Sequence, residues 1–111
     1  MHQHQIECQQ VEHYFFEAEI GSHRIGMDGG SDAGGHDRGA SPKKLMLAAL
    51  AGCTGIDVVS ILEKMKVTYS DFRIHVEADL TDEHPKIYNQ VRIRYEIRLS
   101  EADQPKMERA V

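Results

Sequence analysis

Residues Ser41–Lys66 read SPKKLMLAALAGCTGIDVVSILEKMK, and this stretch decides the fold. Ser41 is a favourable N-cap, and Pro42 suits the first helical turn, where its missing N–H has no partner in any case. Between Leu45 and Leu62 only Thr54, Asp57 and Ser60 are polar, so the helix is apolar nearly all round. Such a helix is covered on every side, inside a protein or inside a bilayer. Asp57 argues against lipid, since an acid near the centre of a span costs roughly 2.5–3.5 kcal/mol. Ala48, Ala49, Ala51, Gly52 and Gly55 are small enough to let another backbone come close. The expectation is a long buried central helix with Cys53 near its middle.

The rest of the chain must supply the cover. A chain of 111 residues with a net charge of −5 reads as one globular domain, residues 1–111. A compact chain of this length has a radius of gyration of about 13 Å, whereas a helix from Pro42 to Lys66 is about 37 Å long. It crosses the whole domain, and one small sheet can cover only one of its sides. A second copy of the chain is the simplest cover for the other, which predicts a homodimer with this helix at or near the interface. The acidic balance excludes nucleic acid as a partner, because phosphate binding needs clustered Lys and Arg. Two cysteines do not make a disulfide framework. The N-terminal MHQHQIECQQ is polar and lacks the apolar core of a signal peptide, so a soluble cytoplasmic protein with no membrane partner is expected.

Before the helix, His4–Gln10 alternates weakly, Val11–Ile20 is rich in aromatic and β-forming residues, and Gly21-Ser22 makes a turn into His23–Asp28. These predict a three-stranded antiparallel meander. Asp28–Ala40, DGGSDAGGHDRGA, holds five glycines and no apolar run, and reads as a mobile loop feeding the helix, either a flexible connector or a functional lid. After the helix, Phe72, Ile74, Val76, Ala78 and Leu80 alternate with Arg73, His75, Glu77 and Asp79. Val91, Ile93, Tyr95, Ile97 and Leu99 alternate with Arg92, Arg94, Glu96 and Arg98. With Pro85 in the connection Asp82–Ile87, this is a two-stranded hairpin with one buried face and one charged face. Acids on its first strand are set to pair with arginines on its second. Ser100–Val111 begins a second helix.

The run GASPKKLMLAALAGCTGIDVVSILEKMK followed by two alternating strands resembles the OsmC/Ohr family, in its less characterised OsmC-related branch. The Pro42-to-Cys53 spacing and the Ile56-Asp57-Val58-Val59 run carry the resemblance together. It implies an α+β fold and an intertwined homodimer, with long central helices packed between sheets. It also implies a thiol-dependent peroxidase: a cysteine on the central helix attacks an organic hydroperoxide, a second cysteine on a later helix resolves the sulfenic acid, and an external dithiol or thiol recycles the protein without a bound cofactor. Cys53 matches the peroxidatic position. Three features depart from the family. Lys43 and Lys44 occupy the turn where peroxidatic members carry a Glu. Arg24 is the single arginine of the N-terminal strands, where members carry an activating Arg. The helix that bears the resolving cysteine begins here near Ser100, so the C-terminal part of the family domain is expected to be absent from this chain.

Two readings of Cys53 stand side by side, a nucleophile and an inert cysteine packed as a small hydrophobe. Reactivity needs thiolate, which nearby positive charge favours. Cys53 lies too deep in the helix for its own dipole to help, and Asp57, four residues on, opposes thiolate formation. Lys43 and Lys44 are candidates for a positive field or an anion site, against a solvated first turn. Asp57 is a candidate orienting group, against burial next to Thr54 or a basic residue of the second copy. Cys8 is a remote candidate for a resolving thiol, its alternation with Ile6 favouring a buried strand cysteine. No histidine pair has the spacing of a zinc motif, and no metal site is expected. The alternative function is a non-catalytic dimeric module that binds a small apolar ligand at the interface.

Overall fold

The computed structural model describes residues 3–82 and 87–111, so Pro85 and most of the expected hairpin connection lie outside the described residues. The chain divides into two compact units, Met1–Met46 and Leu47–Val111.

In the first unit, β1 (Glu7–Glu12), β2 (Phe15–Ile20) and β3 (His23–Met27) form an antiparallel sheet in sequence order, the expected meander. Cys8 stands opposite Ala18, and Ala18 opposite Ile25. The reading of 11–20 as one strand is corrected: Val11 and Glu12 finish β1, and the chain turns at His13 and Tyr14 before β2 begins. His13 takes a φ of 55°, in the left-handed region where His is several-fold enriched over most side chains. The second turn falls at Gly21 as expected, with φ 60°, which glycine reaches without steric cost.

Residues 28–40 are not the mobile loop that their glycines suggest. Asp28 is only 1% exposed. Its carboxylate accepts hydrogen bonds from the amides of Gly29 (2.7 Å), His36 (3.4 Å) and Arg38 (3.2 Å), and from Arg38 Nε (3.2 Å). A carboxylate cannot be buried without donors, so the loop wraps around it to supply them. The amide of Asp28 donates to Ala40 O and that of Ala40 to Gly26 O, forming a parallel bridge between Met27 and Ala40. Gly35 is required by close approach, because a Cβ there would run into the Gly29 backbone. The loop therefore delivers Ser41 to a fixed point beside β3.

There α1 (Pro42–Lys64) starts, with Pro42 in its first turn and the Leu45 amide bonded to Ser41 O. Its end is a Schellman motif. Lys66 takes the left-handed conformation at φ 58°, Lys66 N–H bonds to Glu63 O, and Val67 N–H bonds to Leu62 O. This closure folds Val67 against Leu62, and both are buried.

In the second unit, β4 (Tyr69–Leu80) and β5 (Tyr88–Leu99) form the predicted hairpin. Its wet face carries the expected cross-strand pairs: Arg92 forks onto both oxygens of Asp79 at 3.0 Å and reaches Glu77, while Arg98 reaches Asp71. The Arg92 hydrogen bonds hold the Asp79 carboxyl below the usual carboxylate range. Its apolar face packs against Val58 and Leu62 of α1 through Phe72, Tyr95, Ile97 and Leu99. A 3-10 turn at Glu101–Asp103 leads into α2 (Gln104–Ala110), which adds Met107 and Ala110 to this core. Ser100 does not cap the helix by bonding a backbone amide; its hydroxyl donates to the Asp103 carboxylate at 3.1 Å.

The expected cover of α1 is met on one stripe. Within the chain only Gly55, Val58 and Leu62 of the helix are buried, because a two-stranded sheet is too narrow to wrap it. By length and composition α1 would pass as a membrane span, a test that core helices of soluble proteins also pass.

Candidate functional site at the open face of α1

Cys53 lies in the middle of α1 on the stripe that the chain leaves uncovered, between Leu50 (37% exposed) and Ile56 (72% exposed). Residues three and four apart on a helix share a face, so this stripe runs Leu50, Cys53, Ile56 and Asp57. The thiol is free and exposed. Asp57 is exposed too, and among the described residues neither side chain makes a hydrogen bond or ion pair. The Thr54 hydroxyl is spent inside the helix, donating to Leu50 O (3.1 Å) and Ala51 O (3.2 Å), so it does not orient Asp57.

Beside this stripe an open groove of about 600 Å³ lies between α1 and β4, lined chiefly by Gly52, Gly55, Ile56, Phe72 and Ile74. Its two glycines play different parts, Gly52 facing open space and Gly55 letting α1 lie close to β4. A Cβ on Gly52 would meet nothing within 4 Å, and one on Gly55 would stand 2.8 Å from Ile74 Cδ1. The groove is apolar except for Ser60 and Glu63 at one end.

The other sequence candidates fall elsewhere. Lys43 and Lys44 are exposed in the first turn of α1 and are unpaired among the described residues. No acid offsets them there, where the helix dipole disfavours cations. Arg24 is paired across the sheet with Glu19 at 3.5 Å, both side chains exposed. Cys8, expected to be buried in its strand, is instead exposed and forms no disulfide.

One arginine escaped the sequence reading. Arg38, in the glycine-rich loop, donates from Nε to Asp28 (3.2 Å), from Nη1 to Glu12 Oε2 (3.2 Å) and from Nη2 to Glu12 O (3.2 Å). Its guanidinium sits 4.8 Å from the centre of the Phe15 ring. The bond to Asp28 raises the Arg38 pKa. Burial pushes the Asp28 carboxyl up, but bonds from the Arg38 amide and guanidinium, Gly29 and His36 outweigh it and hold it below its ordinary value. The only trace of this in the sequence is an acid and a base bracketing the glycines. Among the described residues no three or more His, Cys, Asp or Glu side chains converge as a metal site.

A strand meander, a long helix bearing a thiol, a hairpin and a short helix define an OsmC-like α+β protein. The family model described as OsmC-like protein matches residues 34–111, and the chain belongs to that family. Protein YhfA of Escherichia coli is 31% identical over 81 residues, covering 73% of this chain and 58% of that protein. The chain thus spans about 58% of the length of the curated relatives it matches. Among solved structures, a hypothetical protein from Aquifex aeolicus superposes with a TM-score of 0.82 at 26% identity, over 100% of this chain and 77% of that one. An organic hydroperoxide resistance protein OsmC from Legionella pneumophila shares the fold, with a TM-score of 0.68 at 16% identity over 99% and 82% of the two chains.

Proposed function

We propose that this chain acts as a homodimeric, thiol-dependent reductase of organic hydroperoxides, with Cys53 as nucleophile. The observation that carries the reading is a free, exposed thiol centred on an apolar helix stripe that its own chain leaves open. The name of the Legionella pneumophila relative, which shares the fold, supports the same chemistry. The Cys53 thiolate attacks the terminal peroxide oxygen; the O–O bond breaks, an alcohol leaves after taking a proton, and the sulfur is left as a sulfenic acid. An external thiol displaces water from it, and a second thiol frees Cys53 as the thiolate. Thiolate needs a positive neighbour. Asp57 does not provide one, so a basic group of the second copy does.

The test is thiol- or dihydrolipoyl-dependent consumption of cumene hydroperoxide by wild type and Cys53→Ser. Loss of turnover in the variant is expected; equal rates would remove Cys53 from the mechanism. The apolar groove between α1 and β4 favours a second reading, a dimeric module that binds a small apolar ligand. Slow alkylation of Cys53 at neutral pH, with no turnover, would select that reading.

A further inference from the structure

The first unit brings together two imidazoles that the sequence keeps twenty-three residues apart. His13 lies at the β1–β2 turn and His36 in the glycine-rich loop, with ring centroids 6.1 Å apart and planes inclined by 45°. We propose that His13 and His36 form a two-histidine site for a divalent transition-metal ion of the zinc or copper type, with water completing the coordination.

Three observations support a built site. The His13 ring is held in place: it stacks on Tyr14 at 4.1 Å, and its Nε2 lies 3.2 Å from Gly34 O, to which it donates. That contact leaves Nδ1 as the lone-pair nitrogen for a metal. The backbone of His13 is fixed by its left-handed turn and by Gln10 Nε2, which donates to His13 O at 2.9 Å. On the other side, the His36 amide is bonded to buried Asp28, and Tyr14 lies against the loop at Gly34. Both backbones are therefore set before an ion arrives, and only side-chain rotation remains. Zinc bonded at about 2.0–2.1 Å to one nitrogen of each ring places tetrahedral ring centroids about 5 Å apart. Exposed His36 closes the remaining gap of about 1 Å by turning about its side-chain torsions. Imidazole is the ligand that suits zinc and copper.

This site lies wholly within the meander unit. A bound ion would staple the loop to the β1–β2 turn and raise the stability of the folded chain. The test uses the full chain in a His2→Gln/His4→Gln background, which removes the competing histidines near the amino terminus. Zinc chloride is titrated by calorimetry and followed by imidazole resonances in NMR. The expected result is one zinc per chain, shifts in the rings of His13 and His36, and a loss of affinity of about tenfold or more in either His13→Gln or His36→Gln. Retained folding of both variants is checked by circular dichroism. No binding, unchanged affinity in either variant, or shifts confined to other histidines would each overturn the proposal.

Discussion

Ile56→Ala tests the proposed homodimer most directly. Ile56 is 72% exposed in the single chain, on the stripe that carries Cys53. Truncation removes three carbons, worth about 2.4 kcal/mol if fully buried at about 0.8 kcal/mol each. Scaled by the exposed fraction, burial against a second copy contributes about 1.7 kcal/mol per subunit. A two-fold interface counts the residue twice, so the dimer should weaken by about 3.5 kcal/mol, or roughly 300-fold in dissociation constant. Alanine is the better helix former, so the fold of the subunit should survive. Sedimentation equilibrium of wild type and variant over micromolar concentrations measures the change. A variant constant within about threefold of wild type, or a wild type that stays monomeric, would refute the reasoning.

Leu62 of α1 is fully buried in a core with Val58, Val67 and Met107, so Leu62→Ala should destabilise the chain by about 2–5 kcal/mol in urea unfolding; a loss below about 1 kcal/mol would show that the core collapses onto the gap. Asp28 gives a pH test. Its pKa is lowered in the folded state, so the unfolded chain binds its proton first as pH falls. The stability it contributes is then fully present above about pH 4 and is lost as pH falls further through the depressed folded value. The melting temperature of wild type should exceed that of Asp28→Asn at pH 7, with the gap closing below about pH 4; a gap independent of pH would exclude the carboxylate as its source.

Local chemistry made much of the fold legible. Alternation wrote β4 and β5 with their faces assigned, and Pro42 and the apolar run wrote α1, because both patterns arise from neighbours along the chain. The resemblance carried by Pro42, Cys53 and Ile56–Val59 named the family that the family model confirms over residues 34–111. Where alternation was weak, as at His13 and Tyr14, the strand boundary was misplaced. The loop was misread because composition reports backbone freedom, not the donors that one buried carboxylate gathers.

The sequence by itself determined which segments are strand and helix, which faces are apolar, and that a helix this long outruns the cover a small sheet can give. Only the tertiary structure decided that Asp28 is buried and that Arg38 reaches both it and Glu12, that Cys8 and Cys53 are both exposed, and that His13 meets His36. These are encounters between residues ten to twenty-six positions apart, and no period along the chain encodes them. The contacts of Asp28 exist because burying one charge requires the chain to bring its donors from wherever they lie.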